Sequence, residues 1–359
     1  MIESIYLDNY KKFVDFELNN LKTINVISGS NNTGKTSILE ALFFLCDRLS
    51  PDNMLRQYTI RNVKSYTINS QGQMWQMIFN DYDLTKKITI KITDSNGNEE
   101  VATYNHLDKA NNEIISIQNQ SVNSSNIVST SSADISSLHS EFEINKKKCG
   151  DTYFYIRDNK LALSHKDLKL SDLTKVAIFV NSTSNATNKE DMDRLGKLIV
   201  NRRIEDIIAS LQIIEPKLKS INIIPEANMP TVYCDTGLSR QYPLYHMGEG
   251  ISKFLSILIS ICSVQNGLVC IDELENGIHY SLFPKVWGII DKLAKDNNNQ
   301  IFVTTHNHDL LKGLNTFCQE SKDSSVEFIR IDETKSGLVA KNYDSEMLSA
   351  AMDRQWEIR

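Results

Sequence analysis

Residues 29–36 read GSNNTGKT, between KTINVIS at 22–28 and SILEALFFLCDRL at 37–49. The first flank is a short β-branched apolar run, as in a buried strand, and the second is apolar on nearly all sides, as in a buried helix. The loop fits G-x-x-x-x-G-K-[ST] and stands where strand hands over to helix. Its glycines let the backbone curl so that N–H groups point inward at phosphate oxygens. Lys35 can reach β- and γ-phosphates, and the Thr36 hydroxyl is a hard oxygen for Mg²⁺. The helix N-terminus, carrying about half a positive charge, faces the same phosphates. Gly29, Ser30, Asn31, Asn32, Thr33, Gly34, Lys35, Thr36 and Ser37 are therefore candidate contacts of ATP.

A phosphate loop needs a carboxylate on a second strand to hold its metal. GLVCIDE at 267–273 has four consecutive apolar residues followed by two acids, a strand buried on both faces with its acids at the carboxyl end. Asp272 would hold Mg²⁺ through its water shell, and Glu273 would polarise the attacking water. QIFVTT at 300–305 is another buried strand that delivers His306 to the same edge, where a ring N–H can report the γ-phosphate. Before these, HMGEGISK at 246–253 sets two glycines around Glu249 at the start of an apolar helical stretch, a second backbone N–H nest. A second nest makes sense if it caps the nucleotide of a neighbouring subunit.

This order of motifs, preceded by NYKKF at 9–13, resembles the ATP-binding-cassette heads of the SMC, Rad50, RecF and OLD group. MGEG at 247–250, IDELENGIH at 271–279, FVTTH at 302–306 and WEIR at 356–359 resemble more closely the AAA15 family of OLD-type ATPases, including the ATPase subunit of PARIS-type anti-phage systems. The resemblance implies an α/β fold: an ABC-type P-loop ATPase head with a mixed β-sheet core, an antiparallel β lobe and a helical insertion. It also implies a homodimer or higher homo-oligomer with ATP sandwiched between heads. Gly248, Glu249 and Gly250 would contact the partner's nucleotide, and Lys253 would approach its γ-phosphate. Asn276 and His279 would lie at the interface, and Lys11, Lys12 and Phe13 would lie near base and phosphates. The signature lacks the serine of the LSGGQ form, and Gln71, Gln73 and Gln76 are the candidates for a Q-loop glutamine.

The 359 residues carry 39 Lys and Arg against 45 Asp and Glu, a net charge of −6, with 41% hydrophobic residues. That is a globular composition, and the acidic balance weighs against a protein that coats nucleic acid. No apolar run reaches the roughly 20 residues of a membrane span, and the N-terminus reads as a strand rather than a signal peptide. Six cysteines without a CxxC pair suit reduced, mostly buried thiols in the cytoplasm.

One head would be assembled over 1–359: a P-loop segment at 1–60, a β lobe at 61–185 and a helical insertion at 186–225. The segment at 226–359 would hold the signature, Walker B and H-loop motifs. Within the lobe, KKITIKIT at 86–93 reads as an edge strand, and the Ser- and Asn-rich stretch near 105–138 as a solvated insertion. The stretch 189–220 has helical spacing up to Pro216, enough for about 45 Å of helix, and reads as a compact lid or partner-docking element.

The resemblance to PARIS-type systems implies a separately encoded effector, a TOPRIM-type nuclease or toxin, and a phage-encoded trigger; no E…DxD pattern occurs in the last fifty residues, so such an effector is expected to act in trans. The alternative is a RecF- or SMC-like repair ATPase that clamps DNA, which the charge does not favour. A third reading is a scaffold that binds ATP without turnover.

Overall fold

A computed structural model describes residues 1–46, 71–107, 136–157, 160–167, 176–226, 230–321, 325–335 and 337–353. Its elements begin with β1 (Ile2–Asp8), β2 (Phe16–Leu18), β3 (Ile24–Gly29), α1 (Lys35–Cys46), α2 (Gln71–Gln76), β4 (Ile88–Asp94), β5 (Glu99–Leu107), β6 (Ser137–Ile144), β7 (Lys147–Arg157), β8 (Lys160–Lys166) and β9 (Ala177–Val180). There follow α3 (Lys189–Val200), α4 (Ile204–Leu211), β10 (Ser220–Ile224), β11 (Thr231–Asp235), β12 (Tyr242–Pro243) and α5 (Glu249–Ser263). The last are β13 (Leu268–Ile271), α6 (Phe283–Asp296), β14 (Gln300–Thr304), α7 (His308–Ser321), β15 (Val326–Thr334), β16 (Gly337–Tyr343) and α8 (Ser345–Asp353). The chain divides into two compact units, one of residues 1–20, 40–174 and 333–340, the other of residues 21–39, 175–332 and 341–359.

The first unit holds a seven-stranded sheet in the order β2-β1-β4-β5-β6-β7-β8, every pair antiparallel. In β4, Ile88, Ile90 and Ile92 are buried while Thr89 and Lys91 are half-buried, the period-2 pattern of one covered face. Phe44 stacks on Tyr104 with ring centroids 4.6 Å apart. The segment read as an edge strand is interior: β4 pairs with β1 on one side and β5 on the other. Alternation reports which face is covered and says nothing about how many neighbours a strand has. The sheet also takes β1 and β2 from ahead of the phosphate loop, so the lobe is not the continuous 61–185 stretch. Most of the Ser- and Asn-rich stretch lies outside the described residues.

The second unit is built on a six-stranded sheet in the order β16-β15-β3-β14-β13-β9, in which β15, β3, β14, β13 and β9 run parallel. Every residue of β3, β13 and β14 is buried, as expected of parallel strands covered on both faces. A small sheet, β10-β11-β12, stands apart from it in the same unit. Helix α5 is buried all round from Ile251 to Cys262. Its serines are satisfied locally: Ser260 Oγ donates to Ser256 O (2.8 Å), and Ser256 Oγ donates to Asp191 Oδ2 (2.6 Å) on α3.

The stretch read as one lid is two helices separated at Arg202, which has φ +56°. Leu195, Leu198, Ile207 and Leu211 belong to the same buried cluster as Phe254, Leu258 and Trp287. The helical insertion is thus part of this unit's core, because its apolar stripe is consumed by α5. None of the six cysteines forms a disulfide and five of them are buried, and among the described residues no helix is long and apolar enough to cross a membrane.

Candidate functional site

The register of β3, β14 and β13 sets Ile27 opposite Thr304 and Val303 opposite Ile271, so the three strands end together. Residues 29–36, the pair Asp272 and Glu273, and the pair Thr305 and His306 all emerge at that one edge, the side on which open α/β sheets bind ligands. Gly29 adopts φ +145°, and a Cβ there would lie 2.5 Å from Ile331 O, so only glycine fits against β15.

Lys35 Nζ donates to Gly29 O (2.8 Å) and Ser30 O (2.9 Å), which places the ammonium inside the curl of the loop. Burial lowers its pKa, against the opposing pull of Asp272, Glu273 and Glu275. The Thr36 hydroxyl donates to Asp272 Oδ1 (2.9 Å), and the Thr304 hydroxyl donates to the same oxygen (2.6 Å). Burial raises the Asp272 carboxyl even though both hydroxyls favour its ionised form. A desolvated carboxylate touching a hydroxyl is the hard-oxygen pair that suits Mg²⁺, which keeps most of its waters and takes phosphate oxygens from its substrate. Among the described residues there is no group of three or more His, Cys, Asp and Glu that could hold a metal ion.

Glu273 has φ +50°, left-handed backbone that a non-glycine residue adopts only when its surroundings enforce it. Its N–H donates to Thr304 Oγ1 (3.1 Å), and its Oε2 accepts from Asn276 Nδ2 (3.0 Å). Its Oε1 lies 3.7 Å from His306 Nδ1, with both side chains substantially exposed. Sequence reasoning did not single out Glu275, which is 7% exposed and contacts both Thr305 and His306. Its sequence signal was a third acid within four residues at the end of β13.

Helix α5 starts at Glu249, capped by Gly248 (φ +96°) without a side-chain hydrogen bond, and both residues are exposed. Lys253 was expected to reach out toward a partner; instead it is 3% exposed and turns inward. Its amine donates to Asn181 O and to Asp272 O (3.2 Å), tying the signature helix to the ends of β9 and β13. Burial lowers its pKa to about 8.

Asn276 Nδ2 also donates to Ser182 O (3.2 Å), and His279 shares a hydrogen bond with Ser281 Oγ (2.8 Å). In the other unit Lys11 pairs with Glu40, Lys12 is exposed, and Phe13 is fully buried against Phe16. Phe13 is therefore a core residue and not a base contact. Gln71, Gln73 and Gln76 fall on α2 of that unit, and the WEIR residues lie outside the described residues.

The signature and the turn after β13 meet backbone to backbone. A Cβ on Gly250 would lie 1.9 Å from Gly277 O, and one on Gly277 would lie 2.7 Å from Gly250 N. Gly250→Ala is expected to cost about 1–3 kcal/mol through this overlap. Gly248→Ala, where nothing lies within 4 Å of the added carbon, carries only the strain of φ +96°. Thermal unfolding of the two variants checks this. A Gly250→Ala midpoint equal to that of the unaltered protein would remove the contact, and Gly248→Ala reports separately the cost of φ +96°, about 1–3 kcal/mol.

A model of the family described as "AAA domain, putative AbiEii toxin, Type IV TA system" matches residues 24–312. Over 347 residues, 89% of each chain, the protein is 23% identical to an "ATP/GTP phosphatase" of Helicobacter pylori. Over 43 residues, 12% of each chain, it is 40% identical to the DNA replication and repair protein RecF of Clostridium acetobutylicum. Among solved structures, the Smc head domain of Pyrococcus furiosus bound to the C-terminal domain of ScpA is similar at 10% identity and TM-score 0.49, with 99% of each chain covered. With the family model spanning residues 29–36, 247–253, Asp272 and His306, this chain belongs to that AAA-domain family and is a P-loop ATPase.

Proposed function

We propose that this protein hydrolyses ATP in a homodimer, or a larger homo-oligomer, whose heads sandwich the nucleotide. Through that cycle it would control a separately encoded effector, a TOPRIM-type nuclease or a toxin, in anti-phage defence. The observation that carries the ATPase part is the Thr36 to Asp272 contact beside the Lys35 amine.

In this reading residues 29–37 hold the phosphates through backbone N–H groups of the loop and the first turn of α1, which have no acceptor within the helix. Thr36 and Asp272 hold Mg²⁺, which when bound neutralises phosphate charge. Glu273 takes a proton from the attacking water, and His306 contacts the γ-phosphate. Lys253 acts from within its own chain, since its amine already has two carbonyl partners there.

Support for the dimer comes from the exposed start of α5 and from aromatic residues beside it. Tyr245 is 60% exposed and packs on His246, and Tyr280 is 62% exposed and packs on His279. Exposed tyrosines flanking an uncapped helix start suit a surface that closes on a second copy and its phosphates. Support for the defence role is the family description, which names a toxin of a toxin–antitoxin system.

Light scattering with Mg²⁺ and a non-hydrolysable ATP analogue tests the oligomer. The expected result is a shift from 40.9 kDa to at least twice that mass. A chain that stays monomeric at saturating nucleotide would overturn the sandwich. Co-expression with the neighbouring reading frame under phage challenge tests the defence role, which fails if protection does not depend on Lys35.

A further inference from the structure

Glu275 is buried, and among the described residues its carboxyl makes no ion pair with a lysine or arginine. Oε1 accepts from Thr305 Oγ1 (2.9 Å) and from the His306 backbone N–H (3.2 Å). The same oxygen lies 3.5 Å from His306 Nδ1. Oε2 is buried without a hydrogen-bond partner among the described residues. A buried carboxylate oxygen left unpaired costs free energy, and an amide oxygen would serve the same two donors without a buried charge. The carboxyl is also raised by burial, the same penalty seen from its titration.

We infer that Glu275 is a positioning residue for His306: its Oε1 clamps the Thr305–His306 backbone and faces ring Nδ1, leaving Nε2 as the ring atom offered to the γ-phosphate, a contact made by the imidazolium with a proton on each nitrogen. This deepens the ATPase reading proposed above and rests on it. The imidazole, half exposed, projects from a fixed peptide with one nitrogen turned toward the carboxylates of Glu275 and Glu273.

Two variants and their cycle with His306→Ala test the clamp. Glu275→Leu removes the acceptor and is expected to lower kcat about 10- to 30-fold with KM changed less than about 2-fold. Glu275→Gln keeps an oxygen for both donors and is expected to stay within about 3-fold of wild type. In the His306→Ala background Glu275→Leu should add less than about 2-fold, because the residue it positions is gone. Equal losses in both backgrounds, or a loss confined to KM, would overturn the proposal.

Nitrogen-15 spectra of the histidine rings in the unaltered, nucleotide-free protein give a measurement that needs neither a stable Glu275 variant nor turnover. Facing a carboxylate requires a proton on His306 Nδ1, and a bare Nδ1 there would overturn the clamp. If the rings behave as stated but wild-type turnover equals that of a Lys35→Ala variant, the ATPase reading has failed and the clamp has not.

Discussion

Replacing Lys35 by alanine is expected to weaken ATP binding by at least about 30-fold and to abolish measurable phosphate release, with the far-ultraviolet circular dichroism unchanged. Lys35 is a cation held inside the loop, at 2.8 and 2.9 Å from the carbonyls of Gly29 and Ser30. Its lowered pKa shows that the site already bears the cost of desolvating the ammonium. The loop carbonyls and the nearby carboxylates offset part of that cost, and phosphate oxygens would offset the rest. Losing a charge-assisted contact in a desolvated site costs about 2–5 kcal/mol, or roughly 30- to 4000-fold. The measurement is a fluorescent-nucleotide titration beside a phosphate-release assay. Wild-type affinity in Lys35→Ala would place the nucleotide elsewhere.

Glu273→Gln should behave in the opposite sense on binding. We expect kcat to fall about 10²- to 10³-fold while nucleotide affinity stays within a few fold, so that the ATP-bound oligomer accumulates. An amide preserves the shape of the side chain and can still meet Asn276 Nδ2 with its oxygen, but it cannot take a proton from water. The φ of +50° at residue 273 is shared by both side chains, so the backbone presentation of the group is retained. Single-turnover phosphate release and light scattering on one sample check both halves. Equal release by variant and wild type would remove Glu273 from the chemistry and leave the structure with a binding site only. The two variants differ in kind: one loses the nucleotide, the other holds it.

Much of the site was legible in the chain. GSNNTGKT sits at the end of β3, IDE at the end of β13 and His306 just beyond β14, because each string combines a short buried strand with chemistry at its carboxyl end. Three things were not legible. The direction of Lys253 depends on carbonyls at residues 181 and 272, which are far from it in sequence. Phe13 reads equally well as a base contact or a core residue until its packing on Phe16 is seen. Glu275 looks like one more solvated acid after a strand, and only the neighbouring strand, carrying Thr305 and His306, shows that it is buried. Each turns on a partner from another segment, and a pattern of residue types carries no information about such partners.

By itself the sequence determined the periodicity of the strands and helices and the identity of the phosphate loop, since both depend on residues within a turn or two of one another. The tertiary structure alone decided that β4 is an interior strand, that α3 and α4 are core rather than lid, and that Gly250 must meet Gly277. It also decided that three strand ends share one edge. Hydrophobic burial is non-directional, so the chain specifies which faces must be covered, and only packing selects what covers them.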